Sequence, residues 1–191
     1  MPQFAKFEAI EVELLDLRDY PLPFFDEPNS PEGLKGNYAN KTAKRWAKKI
    51  GLADAFIIIT PEYNRGPSAV LKNALDYVYY EWNRKPVAFV SYAPGAAAGI
   101  RAVEQLRLSC IELQMAPIRE AVHISYVLDT IDEDGKLLRG HYNERQKLHE
   151  WKIKYEENNK RDRLLFRPCE TRMGVISRQV TALLFHRYAT M

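Results

Sequence analysis

Cysteine is scarce in this chain of 191 residues, which contains only Cys110 and Cys169. The two lie far apart and have neither the spacing of a metal site nor that of a disulfide framework. Such sparse cysteine is typical of a reducing compartment, so we expect a cytoplasmic protein. The histidines form no ligand pattern either, and we expect surface or partly packed residues and no metal site: His123, His141, His149 and His186.

The chain also lacks a strong charge imbalance and a long apolar run. Its net charge is +3, and basic and acidic residues are interleaved, which argues against a nucleic-acid-binding stripe. No apolar run approaches the roughly 20 residues that a membrane-spanning helix needs, and no signal-peptide pattern is present. We therefore expect no nucleic-acid partner and no membrane partner. The length and the 46% of hydrophobic residues predict one domain, residues 1–191, with a full core.

What the sequence does contain is an abrupt change of character within residues 55–68. Residues 56–59 are continuously apolar, which predicts a strand buried on both faces of a parallel sheet. Pro61 ends that strand, and a polar loop follows it. Pro67 suits the first position of a helix that begins near Ser68. In open α/β sheets, a loop of this kind at the carboxyl end of a strand is where ligands bind.

Similar alternation runs through much of the chain. Strands are predicted at residues 10–17, 86–92 and 120–125, and helices at residues 42–50, 68–82 and 142–158. Strands that alternate with helices predict an α/β fold with a parallel sheet. A further helix is predicted after residues 93–99, because apolar residues recur there at helical spacing. This spacing places Cys110 in the core, so we expect a packed residue and not a nucleophile.

The motif Pro61-Glu62-Tyr63-Asn64, followed by Pro67 and by Leu-Lys-Asn-Ala-Leu-Asp at residues 71–76, resembles the signature of the NAD(P)H-dependent FMN reductase family. The resemblance implies a flavodoxin-like three-layer sandwich with a five-stranded parallel sheet in the order 2-1-3-4-5. It implies bound FMN that takes hydride from NAD(P)H. It also implies a small-molecule electron acceptor: a quinone, an azo compound, a metal oxyanion or free flavin.

The resemblance also implies where the flavin is held. Residues of two loops would flank the ring or offer backbone amides to its polar edge: Pro61, Glu62, Tyr63, Asn64, Ser91, Tyr92, Gly95 and Gly99. Three alanines stand in the second loop where the family often has glycine, and positive φ is costly for alanine. No catalytic side chain is expected, because the flavin carries the chemistry. Glu62 is interpreted as a loop-orienting or helix-start residue, since anions are favoured at helix amino termini.

Nothing before Ile10 has the pattern of the family's first strand, which lies in the middle of the sheet. An empty central position would leave buried backbone groups unpaired, at a high cost. The other end of the chain offers a strand at residues 163–167 and a helix at residues 178–188. We therefore predict a circular permutant in which residues 163–191 supply the family's first strand and helix. The alternatives are an unrelated tail in a truncated or frame-shifted chain, or a tail unit that inserts into a neighbouring copy.

In this arrangement the flavin phosphate would be bound by Thr171, Arg172 and Ser177, which resemble part of the family's phosphate loop. Arg172 would supply charge and Ser177 a hydroxyl donor. Cys169 and Glu170 occupy the place of the family's Gly-Ser, and a carboxylate there repels phosphate. Weakened or abolished flavin binding is therefore an open alternative.

Residues 77–82 are unusually aromatic, which indicates either core packing or a partner surface. The resembled family pairs through this region, so we expect a homodimer or homotetramer. Two other functions stay open. One is a non-catalytic permuted or engineered flavodoxin-like scaffold that binds flavin weakly or not at all. The other is a flavodoxin-type electron carrier, which the basic charge balance disfavours.

Overall fold

Parallel strands form the centre of the protein. A computed structural model describes the backbone of residues 10–130 and 178–184. It also describes the side chains of residues 11–130. The strands are β1 (Ile10–Asp16), β2 (Ala55–Pro61), β3 (Pro86–Tyr92), β4 (Ala116–Ile124) and β5 (Arg178–Leu184). They pair in the order β1-β5-β2-β3-β4, and every pairing is parallel. The predicted α/β class with a parallel sheet is confirmed.

Helices follow the strands along the chain, and several of them begin at side chains that cap their first turn. They are α1 (Pro31–Leu34), α2 (Lys41–Leu52), α3 (Ala69–Asp76), α4 (Ile100–Glu112) and α5 (Val127–Thr130). The side chain of Asn40 accepts from the amides of Thr42 and Ala43, and Ser68 accepts from Leu71, so each satisfies amides that the first turn leaves unpaired. Within the described residues no helix is long and apolar enough to span a bilayer.

Two tryptophans anchor the core. Trp46 of α2 and Trp82 are fully buried, and their rings meet edge to face with centroids 6.0 Å apart. Each indole N–H is satisfied by a carbonyl at the end of α3: Trp46 Nε1 donates to Ala74 at 2.8 Å, and Trp82 Nε1 donates to Leu75 at 3.2 Å. These bonds remove the penalty of burying an unpaired polar group.

The strand in the central position is not the predicted one. β5, Arg178–Leu184, pairs with β1 on one side and with β2 on the other, whereas a helix was predicted at residues 178–188. Over residues 178–184 that prediction was wrong. Their apolar residues fit either the helical or the strand period, and the unpaired backbone groups of β1 and β2 favour the extended form. The strand predicted at residues 163–167 and the helix predicted at residues 142–158 lie outside the described residues.

Helix α3 ends at Asp76, six residues before the predicted end at Trp82. Past that point the chain turns inward, and Tyr77, Val78 and Trp82 are buried in the protein's own core. Burial of these side chains outweighs continued helix formation, because a straight helix would carry some of them into solvent. Most of the aromatic segment is therefore core, and Tyr80 is its exposed member at 48%.

The chain divides into two compact units. One unit comprises Met1–Val127 together with Ser177–Met191, and it contains the sheet. The other is Leu128–Ile176, of which the structure describes residues 128–130.

Candidate functional site

Two loops leave neighbouring strands at the same edge of the sheet. Residues 62–68 follow β2, and residues 93–99 follow β3. The last residues of these strands, Pro61 and Tyr92, are register partners. Parallel pairing therefore brings the predicted ring-flanking loop and the predicted amide loop side by side at the carboxyl edge.

The first loop forms a tight two-residue turn. Tyr63 and Gly66 exchange two backbone hydrogen bonds of 2.9 Å each. Between them, Asn64 and Arg65 have φ of 48° and 69°, the left-handed pair of a type I′ turn, and asparagine tolerates this region well. Tyr63 is 40% exposed beside the turn, so its ring is accessible to a ligand.

Glu62 fastens this turn to α4. Its Oε2 accepts from the backbone N–H of Arg101 at 3.1 Å, and its Oε1 accepts from the guanidinium of Arg101 at 3.0 Å. Gln105, one turn further along α4, donates to the carbonyl of Arg65 at 2.6 Å. A carboxylate in the first turn of a helix is also favoured by the helix dipole. Glu62 thus ties the first loop to the first turn of α4.

The second loop packs closely against the strand it follows. Ser91 is fully buried, and its hydroxyl donates to the carbonyl of Ala98 at 2.7 Å. Ala98 and Gly99 have φ of 53° and 80°, so one of the three alanines does adopt a left-handed conformation. A Cβ on Gly99 would lie 2.8 Å from the Cβ of Ser91. Only glycine combines this φ with such a close approach.

The tip of the second loop presents backbone donors to solvent. Pro94, Gly95 and Ala96 are exposed. Within the described residues, the amides of Gly95 and Ala96 meet no acceptor, whereas Ala98 donates to the carbonyl of Gly95 and closes the turn. Unpaired amides at the carboxyl edge of a sheet are suited to bind a polar ligand.

Sequence reasoning missed His123 of β4. Its Nδ1 lies 2.7 Å from the Ser91 hydroxyl, and the two residues are register partners on neighbouring strands. Burial lowers the pKa of His123, as does the nearby Arg107, while Glu104 acts in the opposite direction. No signal in the sequence could have paired residues 91 and 123, because the register of β4 against β3 is set by packing.

Asn73, which belongs to the family motif at residues 71–76, ties α3 to another loop. Its Oδ1 accepts from the amide of Phe25 at 3.1 Å, and its Nδ2 donates to the carbonyl of Pro23 at 2.8 Å. Both partners belong to the proline-containing loop that follows β1. The motif asparagine thus holds this loop against α3.

The predicted site residues therefore fall into two groups. Eight of them lie on or beside the two neighbouring loops. Four of these are buried, Pro61, Ser91, Tyr92 and Gly99, and Ser91 and Gly99 act in the packing of the second loop. Thr171, Arg172 and Ser177 lie outside the described residues. The part of the chain that the structure describes contains no cluster of histidine, cysteine, aspartate or glutamate able to hold a metal ion. An open groove of about 440 Å³ beside Tyr38, Lys44 and Glu81 contains none of the predicted residues.

A family model described as NADPH-dependent FMN reductase matches residues 2–129. The chain belongs to the NADPH-dependent FMN reductase family. These are oxidoreductases that use FMN as cofactor and NAD(P)H as co-substrate. The match includes both loops and ends one residue before the last described residue of α5.

Individual members of the family agree with this assignment. An NAD(P)H-dependent FMN reductase of Schizosaccharomyces pombe is 40% identical over 114 residues, which is 59% of this chain and 56% of that protein. A quinone reductase of Pseudomonas putida is 30% identical over 68% of this chain and 69% of its own length. The chain thus spans about half the length of the first curated relatives it matches.

A solved structure supports the fold. FerB, a flavoenzyme NAD(P)H:(acceptor) oxidoreductase from Paracoccus denitrificans, superposes with a TM-score of 0.56 at 26% identity, over 71% of this chain and 73% of that one. The α/β fold with its parallel sheet is therefore consistent with that of a flavodoxin-like FMN reductase.

Proposed function

We propose that this protein is an NAD(P)H-dependent FMN oxidoreductase that passes hydride from a nicotinamide to a small acceptor. The observation that carries the proposal is the pair of neighbouring loops at the carboxyl edge, one with an accessible tyrosine and the other with unpaired amides. When bound there, FMN would supply the hydride-transfer chemistry. The acceptor would be a quinone, an azo compound, a metal oxyanion or free flavin.

The described residues would bind and orient the cofactor without moving protons. The amides of Gly95 and Ala96 would donate to the polar edge of the ring, and Tyr63 and Asn64 would flank it. The bonds of Glu62 to Arg101 hold the first loop in one position, so little ordering would remain to be done when the cofactor binds.

We also propose that β5 takes the place of the family's first strand. With β5 counted first, the observed order β1-β5-β2-β3-β4 reads 2-1-3-4-5, which supports a permuted single domain. The revised strand boundaries matter for the phosphate. Phosphate contacts by Thr171, Arg172 and Ser177 were predicted from a resemblance to the family's phosphate loop and the helix that follows it, whereas Arg178 begins a strand. Those contacts stay a prediction without the support of that helix.

A second candidate function is a flavodoxin-like scaffold that binds FMN weakly or not at all. It is favoured by one observation: Cys169 and Glu170 stand where the resembled family has Gly-Ser in its phosphate loop, and a carboxylate there repels phosphate. A cytoplasmic homodimer or homotetramer is the proposed setting for either function, and Tyr80 is the aromatic residue of the 77–82 segment exposed for such pairing.

The test is direct binding of FMN to the purified full chain, measured by quenching of flavin fluorescence, followed by NAD(P)H oxidation with a quinone acceptor. Tyr63→Ala should weaken FMN binding roughly tenfold, the loss expected for one stacked aromatic contact. Tyr80→Ala is the matched control, since the two tyrosines are 40% and 48% exposed, and it should leave binding unchanged. A colourless protein that ignores added FMN would support the scaffold instead.

A further inference from the structure

A short chain of hydrogen bonds links β4 to the amide loop through the interior of the protein. His123 Nδ1 lies 2.7 Å from Ser91 Oγ, and Ser91 Oγ lies 2.7 Å from the carbonyl oxygen of Ala98. Ser91 is fully buried, so water does not compete for its hydroxyl. His123 belongs to β4, Ser91 to β3 and Ala98 to the loop, so these hydrogen bonds join three separate elements of the fold.

The direction of each bond follows from counting protons. A carbonyl oxygen only accepts, so the single hydroxyl proton of Ser91 is used in the bond to Ala98. The contact with His123 then requires the imidazole to donate from Nδ1 into a lone pair of the hydroxyl. His123 is therefore fixed as the tautomer that carries its proton on Nδ1 whenever the ring is neutral.

The carbonyl of Ala98, the last acceptor in this series of hydrogen bonds, lies in a constrained part of the loop. Ala98 and Gly99 are both left-handed, with φ of 53° and 80°. Ala98 also donates its amide to the carbonyl of Gly95 at 3.2 Å. Its carbonyl, bound by Ser91, and its amide, bound by Gly95, together fix the turn whose outer amides belong to Gly95 and Ala96.

We propose that His123 is a positioning residue for the cofactor loop, acting through Ser91 on Ala98 so that the amides of Gly95 and Ala96 are held ready for the ligand. The identity of that ligand, FMN, rests on the function proposed above. His123 acts on the loop through Ser91, because its Nδ1–H occupies a lone pair of the hydroxyl that donates to Ala98.

The experiment compares His123→Asn with His123→Leu in the full chain. The asparagine and leucine side chains have nearly the same shape, but only asparagine retains an N–H near the position of the imidazole Nδ1. Leucine should weaken FMN binding roughly five- to tenfold, the effect of one lost hydrogen bond, and asparagine should restore most of it. Ser91→Ala should match leucine, and the double variant Ser91→Ala with His123→Leu should be no weaker than either, because the residues act as one unit.

Two further measurements separate positioning from general stability. The nitrogen chemical shifts of the imidazole should report a proton on Nδ1 in the protein without cofactor. The amide resonances of Gly95 and Ala96 should shift in His123→Leu and return towards wild type in His123→Asn. A proton on Nε2, equal effects of leucine and asparagine, or additive losses in the double variant would overturn the proposal. If the wild type binds no FMN, the proposed function fails while the resonances still decide whether His123 positions the loop.

Discussion

Gly99→Ala is the substitution for which the structure gives the sharpest expectation. Gly99 directly precedes α4 and has φ of +80°, and a Cβ at this residue would lie 2.8 Å from Ser91 Cβ and 3.2 Å from the backbone nitrogen of Tyr92. Both neighbours belong to β3, so neither can move aside without disturbing the sheet. The substitution therefore meets two independent penalties, one in the backbone and one in packing.

The magnitude follows from those two penalties. A non-glycine residue in the left-handed region costs about 1–2 kcal/mol, and overpacking a tight site costs about 1–3 kcal/mol. Alanine also restricts the unfolded chain, which offsets about 0.4–1 kcal/mol. The net loss in the free energy of unfolding is about 1–5 kcal/mol, with a central value of about 3 kcal/mol. For a protein of this size the central value corresponds to a fall in Tm of about 6–12 °C.

Two other glycines supply matched controls. Gly36 has φ of +83° and no atom within 4 Å of the position that a Cβ would occupy. Gly36→Ala therefore isolates the backbone penalty, which is about 1 kcal/mol after the offset from the unfolded chain. Gly95 has neither a positive φ nor a neighbour within 4 Å of that position, so Gly95→Ala should be close to neutral. Urea unfolding followed by tryptophan fluorescence measures all three. A Gly99→Ala loss no larger than that of Gly36→Ala would refute the close approach to Ser91.

Three more outcomes are expected. Glu62→Gln should cost about 1 kcal/mol in urea unfolding by weakening the tie to Arg101, and no change would contradict that tie. Burial raises the pKa of Cys110 to about 12, so in a Cys169→Ser background the native thiol should resist disulfide exchange until the protein unfolds; prompt reaction would contradict its burial. Because burial and Arg107 lower the pKa of His123 from 6.5 while Glu104 opposes them, the unfolded chain takes up the proton first as pH falls. Stability should therefore decline with acid below about pH 6.5, and His123→Asn should flatten this decline in urea midpoints.

Local chemistry made much of the candidate site predictable. Pro61 cannot donate to a ladder, and Ser68 can cap a helix, so the end of β2 and the start of α3 are determined by adjacent residues. The spacing of Val103, Leu106 and Cys110 likewise predicted the buried side of α4, and all three are buried. Each of these predictions depends only on neighbours within two helical turns.

Residues 178–184 show where local reasoning fails. Val180, Leu183 and Leu184 fit one side of a helix, and the same segment also fits a buried strand. Its β conformation depends on β1 and β2, which lie more than a hundred residues away in sequence and present unpaired backbone groups on both sides. The predicted end of α3 was wrong for a similar reason, since the burial of Trp82 is a property of the assembled core.

The sequence by itself determined the alternation of strands and helices, the turn after β2 and the family motif, because turn residues and hydrophobic periods act over short distances. Tertiary structure alone decided which strand lies at the centre, that Glu62 holds Arg101, and that His123 meets Ser91. Those contacts join residues 39 and 32 positions apart. Strand register and helix docking set them, and both are consequences of packing the whole core at once.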